Sequence, residues 1–588
     1  LEYFKMFRQL WFYADRERWK VAVYLVLHAI SFLGELGQPY AFSMIINTLQ
    51  QNNPSVVNEV IHWVLFYVLC FFTFEIFHRG ARYIEIFVAF RIRKRFVNAM
   101  FNRLHSLPLG WHSDHHSGSV IDRVNKAADG LYNFSLSQYN FVGFFIKFWG
   151  PLFILWSISP VVSCITVISG IVSVIITKKF YNLIVPAYRA QNEQFHNVAT
   201  ALHDYISNIR TVIMLRLGQP ARRDIDERIK KVLPHLVKEH NITQLKCFIA
   251  AFIIMFLEIG LILYYIYAQK EAGHVIMIGS VTAIFFYLQQ CMSSFQFYTF
   301  DYEIVIHQTT DFEAVRPILE EKVAANVHEQ EESDLDRWNK LDVQSLRFSY
   351  GYGKHQLTDV SVRLINGQRI AFVGESGAGK STLLQLLRGL VPVQEGALIK
   401  DDGKAVPFLS LASTTALIPQ EPEIFENTVR YNITMGMPAT EEDIQTAIWT
   451  AGFSDVVHGL PNGLDSDIRE KGVNLSGGQK QRLALARGIF AVRDSSIVLL
   501  DEPTSNVDPA TETVIFKRLF ERLSGKCVVS VLHRLHLVRH FDYVYVFKQG
   551  NIVEEGTFRE LCSADGEFSR LWNEYLAEED AFGKEGIG

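Results

Sequence analysis

The first half of this 588-residue chain is built from apolar runs of about twenty residues or more, and from about residue 330 onward no such run recurs. Six runs, near residues 20–46, 61–82, 136–158, 161–180, 247–267 and 275–297, are each long enough to cross a hydrocarbon core of about 30 Å as a helix. The third and fourth are joined only by residues 157–160, too few for a domain. Long polar stretches follow the second and the fourth. The chain is therefore expected to be a membrane half (1–325), a linker (326–341), a soluble α/β half (342–575) and a short charged tail (576–588). A net charge of −5 gives no reason to expect nucleic acid as a partner; the partner these runs imply is a lipid membrane. Six cysteines without paired spacing read as buried, reduced thiols. The chain opens on Leu1 rather than methionine, which reads as a missing or replaced N-terminus, and no cleavable signal peptide is evident.

Lysine and arginine set the orientation. They crowd the segment before the first run (Arg8, Arg16, Arg18, Lys20) and the two long polar stretches (Arg91, Arg93, Lys94, Arg95, Arg103 and Arg123; then Lys178 to Lys231). The opposite loops are nearly bare apart from Lys270. Both termini and both stretches are thus expected in the cytoplasm. The stretches read as helical extensions of the spans, each turning on a short helix, near 115–123 and 208–212. Trp11, Phe12 and Trp19 beside Arg16 and Arg18 suggest an amphipathic elbow on the inner surface. Pro39 with Gly37, and Gly150 with Pro151, suggest kinks.

Polar groups fall near mid-membrane: Glu35, Glu75, Lys147, Glu258, Gln289 and Gln290. Such groups are costly and face a wet cavity or each other. Two readings stand. They give a central cavity a slight acidic bias, suited to amphipathic cations or zwitterionic lipids, or they pair internally, with Lys147 bonded to one of the glutamates. Phe285, Phe286, Tyr287, Phe295, Phe297 and Tyr298 line an apolar substrate surface on one reading and pack against helices or lipid on the other.

In the soluble half, Gly374, Glu375, Ser376, Gly377, Ala378, Gly379, Lys380 and Ser381, followed by Thr382, match the phosphate-binding loop. Its glycines let backbone N–H groups curl around phosphates. Lys380 would reach the terminal phosphates, and the Ser381 hydroxyl would hold Mg²⁺. About a hundred residues later comes Leu475-Ser-Gly-Gly-Gln479, then the apolar stretch 497–500 ending in Asp501 and Glu502.

That order resembles the ATP-binding-cassette family over roughly residues 342–561. The resemblance implies a six-span α-helical transmembrane domain followed by an α/β P-loop ATPase domain, with ATP and Mg²⁺ as cofactors. It implies that Tyr350 stacks on adenine, with Tyr352 as runner-up, and that Gln420 touches Mg²⁺ and the attacking water. Asp501 would hold Mg²⁺, Glu502 would orient or deprotonate the water, and His533 would contact the γ-phosphate. Ser476, Gly477, Gly478 and Gln479 would grip the nucleotide held by the phosphate loop of a second subunit. The implied partner is a second copy (a homodimer) or a related half-transporter. The two short turns would be coupling helices, with Glu470 contacting one of them. Six spans before one cassette is the exporter-type layout, and a bacterial plasma membrane is the expected location. A heterodimer subunit, an importer on the same fold, and an ATP-gated channel or regulator remain as alternatives, and the fold does not fix the substrate.

Overall fold

The computed structural model describes residues 2–51, 54–323, 335, 338–350, 356–401, 403–469, 472 and 475–585, except the side chains of 173, 177, 254, 295–303 and 578–585. Tyr352 and Glu470, and the side chains of Phe295, Phe297 and Tyr298, lie outside the described residues, as does most of the expected linker. The chain forms two compact units, Leu1–Leu107 with Trp111–Val323, and Ala324–Gly588 with Pro108–Gly110.

The described residues of the first unit form helices and the turns between them: α1 (Glu2–Ala14), α2 (Arg18–Gln51), α3 (Val56–His105), α4 (Leu109–Asp114), α5 (Ser117–Leu136), α6 (Gln138–Ile158), α7 (Pro160–Ser207), α8 (Ile209–Met214), α9 (Gly218–Glu271), α10 (Ile278–Glu313) and α11 (Arg316–Glu320). Among the described residues, five helical stretches are long and apolar enough to cross a membrane, Glu2–Gln51, Val56–His105, Ser117–Ile158, Pro160–Ser207 and Gly218–Glu271. The sixth expected span lies on α10, a helix of 36 residues. Between α6 and α7, Ser159 turns extended and Pro160 opens the next helix, where its missing N–H costs nothing. The Ser163 hydroxyl donates back to the Leu152 carbonyl at 3.0 Å and closes that turn. On α1, Met6, Leu10, Tyr13 and Ala14 are buried while Phe4 and Phe12 are exposed, the two-faced pattern expected of an elbow helix.

The structure departs from the sequence reading at several places. The third span starts at Gln138, on a helix separate from α5, because Ser137 breaks the run. Pro39 and Pro151, the expected kink positions, lie inside α2 and α6 without interrupting them. The first short helix is α4, upstream of the expected 115–123, because Pro108 biases Leu107 away from helical geometry and ends α3 early; 117–123 already belong to α5. The second short helix, α8, falls on the expected turn. The final helix, Glu567–Glu585, runs through the expected boundary at 575.

Among the described residues the second unit carries twelve strands: β1 (Lys340–Phe348), β2 (Leu357–Ile365), β3 (Arg369–Gly374), β4 (Glu395–Lys400), β5 (Ala405–Val406), β6 (Thr415–Ile418), β7 (Asn427–Thr428), β8 (Asp467–Ile468), β9 (Ile497–Asp501), β10 (Cys527–Val531), β11 (Tyr543–Lys548) and β12 (Asn551–Gly556). β2, β1, β4 and β5 make a four-stranded antiparallel sheet in that order. The central sheet runs β12-β11-β3-β10-β9-β6 and is parallel except for β12. β3, β9 and β10 read as nearly unbroken apolar runs because both faces of a parallel sheet are covered. One buried cluster fills each side: Leu383, Leu384 and Leu387 with Phe372 on one, Leu483, Ala486 and Phe516 with Val498 on the other.

Candidate nucleotide site

Parallel strands point their C-terminal ends the same way, and here four of them deliver the motifs to one edge. Val531 lies opposite both Phe372 and Asp501, and Ile418 lies opposite Leu500. The loops after β3, β10, β9 and β6 therefore bring the phosphate loop, His533, Asp501 with Glu502, and Gln420 together. An open cleft of about 590 Å³ is lined there by Gln356, Gly377, Lys380, Ser381, Gln420, Glu502 and His533 among others, with Ser376, Ala378, Gly379 and Thr382 completing the loop.

Gly374 and Glu375 form the base of the loop. Gly374 is paired with Phe547 at φ +144°, and a β-carbon there would sit 2.1 Å from the Phe547 carbonyl oxygen. No L side chain fits. Gly374→Ala is expected to lower the unfolding temperature of the second unit and to weaken nucleotide binding more than tenfold; thermal melts and a fluorescent nucleotide titration read both. The loop then opens a helix (α12, Lys380–Leu387), whose N-terminal amides face the loop.

The Lys380 ammonium donates to the Gly374 and Glu375 carbonyls at 2.7 and 2.8 Å. Burial lowers its pKa, opposed by the charges of Glu502 and Asp501. The Ser381 hydroxyl donates to Asp501 Oδ1 at 3.0 Å. Burial raises the Asp501 pKa, opposed by that hydrogen bond. Both oxygens of Glu502 are engaged: Gln420 Nε2 donates to Oε2 at 2.8 Å, and His533 Nε2 lies 2.8 Å from Oε1. Burial raises the Glu502 pKa too, opposed by His533 and reinforced by Asp501. Two carboxyl groups are thus held above their ordinary range beside a partly desolvated ammonium. Ser381 and Asp501 present hard oxygens side by side, a donor set that suits Mg²⁺.

Not every expected residue joins this cleft. Tyr350 packs edge-on against Phe348 at 4.8 Å, and its hydroxyl donates to Gln385 at 3.1 Å. Ser476, Gly477, Gly478 and Gln479 do not line the cleft; they open the helix Gly477–Ala491, where Ser476 and Gln479 cap each other reciprocally. Gln356, absent from the sequence reading, lines the cleft. So does the backing role of Gln481 go unread in the sequence: its amide donates to the Glu502 carbonyl at 3.2 Å and to Ser505 Oγ at 2.9 Å, and accepts from the Asn506 N–H at 2.6 Å.

The membrane candidates separate. Lys147 Nζ lies 2.7 Å from Glu35 Oε1, so internal pairing is what the structure holds. Glu75 pairs with Arg79 at 2.6 Å. Gln289 is exposed, Gln290 is half-buried with its Oε1 unpartnered, and Glu258 is half-buried. A cluster missed in the sequence lies deeper: Glu85 is fully buried, 2.6 Å from Arg82 and 3.7 Å from the buried ring of His28. The i,i+3 spacing of Arg82 and Glu85 was its one local signal.

Comparison with known proteins gives the same order of parts. The "ABC transporter transmembrane region" family matches residues 21–295, and the "ABC transporter" family matches 357–505. "Heavy metal tolerance factor 1" of Caenorhabditis elegans is 27% identical over 504 residues, 82% of this chain and 60% of that protein. The chain spans 60% or less of the length of this and the next curated relatives it matches. A Staphylococcus aureus protein whose name mentions multidrug export is 26% identical over 586 residues, 94% of this chain and 96% of that one. The fold matches the "Structure of a bacterial Atm1-family ABC exporter with ATP bound" with a TM-score of 0.85 at 23% identity, covering 95% of this chain and 98% of that one. With a helical membrane-spanning unit followed by an α/β unit whose motifs converge on one cleft, the chain belongs to the ATP-binding-cassette transporters, as a half-transporter of the exporter type that carries its own ATPase domain.

Proposed function

We propose that this chain couples ATP hydrolysis to export of a hydrophobic or amphipathic substrate, working as a dimer by alternating access. The observation that carries the reading is the convergence of Lys380, Ser381, Gln420, Glu502 and His533 on one cleft. Lys380 and the loop amides bind the nucleotide phosphates. Ser381 and Asp501 hold Mg²⁺, which supplies charge neutralisation at the phosphates. Glu502 takes the proton of the attacking water, with Gln420 and His533 fixing both of its oxygens. Ser476, Gly477, Gly478 and Gln479, which stand apart from their own chain's cleft, serve the cleft of the partner copy. Closure of the two ATPase domains passes through α4 and α8 to the spans. Both termini face the cytoplasm of a bacterial cell, in keeping with the lysine and arginine placement.

The substrate reading narrows. With Glu35 neutralised by Lys147 and Glu75 by Arg79, the acidic bias expected of the cavity is largely cancelled. This favours a ligand recognised by apolar surface over one recognised by a negative field. Names of relatives that mention heavy metals or multidrug export set the classes to test.

The test is ATP hydrolysis by the purified chain alone in lipid discs, against a panel of lipids, peptides, amphipathic cations and metal–thiol complexes. Transport of any stimulating ligand is then followed in oriented vesicles. Hydrolysis stimulated by one class, with uptake into inside-out vesicles, is the expected result. A folded chain that hydrolyses no ATP would replace the homodimer with a heterodimer, and uptake in the opposite direction would make it an importer.

A further inference from the structure

At the start of α5 and the end of α7, His116, His203 and Asp204 each turn one donor atom inward, and the three atoms lie within 4.8 Å of one another. His116 Nε2 is 2.6 Å from Asp204 Oδ1. The two imidazoles meet edge-on with ring centres 5.5 Å apart. His203 Nδ1 is shielded from solvent and has no hydrogen-bond partner. The ring of His203 reaches this position because residue 118 is glycine: a β-carbon there would sit 2.9 Å from its Cγ. Neighbouring histidines are engaged elsewhere. His112 bonds the Leu104 carbonyl at 3.0 Å, and His115 bonds the Trp111 carbonyl at 2.8 Å while stacking on its ring at 4.1 Å. Among the described residues this is the one cluster of three such donors.

We propose that His116, His203 and Asp204 form a binding site for a divalent transition-metal ion, Zn²⁺ or a close congener, that clips the start of α5 to the end of α7. Two imidazoles and one carboxylate are the donor set of an open zinc site, with water in the fourth position. Mg²⁺ and Ca²⁺ prefer oxygen donors throughout and are poorly served by two ring nitrogens. Metal–ligand bonds of about 2.0–2.2 Å place tetrahedral donors about 3.3 Å apart, so donors already within 4.8 Å of one another need to close by only about 1.5 Å. The side chains of His116 and Asp204 are 40% and 52% exposed, which gives an ion a direct path in. Because the donors come from two helices 88 residues apart in the chain, binding ties together the segments next to α4 and α8.

The experiment titrates the tag-free, full-length chain in lipid discs with Co²⁺, following its ligand-field absorption, and then displaces it with Zn²⁺. One ion per chain, a tetrahedral-type band and stoichiometric displacement by Zn²⁺ are expected. The His116→Ala/His203→Ala double variant should lose the band and bind Zn²⁺ at least tenfold more weakly. His115→Ala should bind as the unaltered chain does. Metal-free thermal melts establish that each variant is folded, and Asp204→Asn replaces the double variant if that one is not. Equal Co²⁺ binding by the folded double variant (or by folded Asp204→Asn, where it takes that place) would overturn the site, as would a weak octahedral-type spectrum that Zn²⁺ does not displace.

Discussion

Glu502→Gln is expected to lower ATP hydrolysis about 10²–10⁴-fold, the range that a positioned general base contributes, while nucleotide affinity stays within about twofold of the unaltered chain. The amide keeps the shape and can still meet Gln420 and His533, but it cannot take a proton from water. The same substitution should stabilise the nucleotide-free protein. Burial raises the Glu502 pKa above its unfolded value, so the folded state binds that proton more tightly than the unfolded state does. The contribution is favourable below the unfolded pKa and is lost as pH rises through the folded pKa. At pH 7 the buried charge therefore opposes folding, and glutamine removes that opposition. Melting curves at pH 7 should show a higher midpoint for the variant, and the gap should shrink as the pH falls towards about 4. Steady-state phosphate release from Glu502→Gln equal to that of the unaltered chain would remove Glu502 from its proposed role.

Lys147→Met is expected to destabilise the membrane unit by about 1–3 kcal/mol, because it strands the half-buried Glu35 carboxylate without its partner. Lys147 also lies over the face of Phe32, 5.1 Å from the ring centre, so the substitution removes a cation–π contact as well. Combining Lys147→Met with Glu35→Gln should recover most of that loss, since no unpaired charge remains. Thermal unfolding in a fixed detergent, with a double-mutant cycle, measures the coupling. If the single variant is as stable as the parent but its ligand-stimulated hydrolysis changes, the pair is a substrate contact rather than a brace.

The residues around the cleft were legible in the sequence because each motif is short and sits where an apolar strand ends. Gly374 to Ser381, Asp501 with Glu502, Gln420 and His533 announce themselves by local spacing. What local spacing cannot carry is a partner chosen by tertiary packing. Gln481 reaches Glu502 across 21 residues, and His28 reaches Glu85 across 57. The pairing of Lys147 with Glu35 is likewise set by helix packing and not by spacing along the chain. The position of the first short helix does have a local signal: Pro108 marks the end of α3 more directly than the polar run after it.

The lengths of the helices have a mechanical consequence. At 1.5 Å per residue the 50-residue α3 is a rod about 75 Å long, some two and a half times the thickness of a hydrocarbon core, and it contains no proline. A push on one end meets no proline joint before the other. The helices α7 and α9 are comparable in length but carry Pro186 and Pro234 in their interiors, where a backbone hydrogen bond is missing and bending is cheapest. The same push there is divided between translation and flexure. Stroke is therefore transmitted stiffly along α3 and compliantly along α7 and α9.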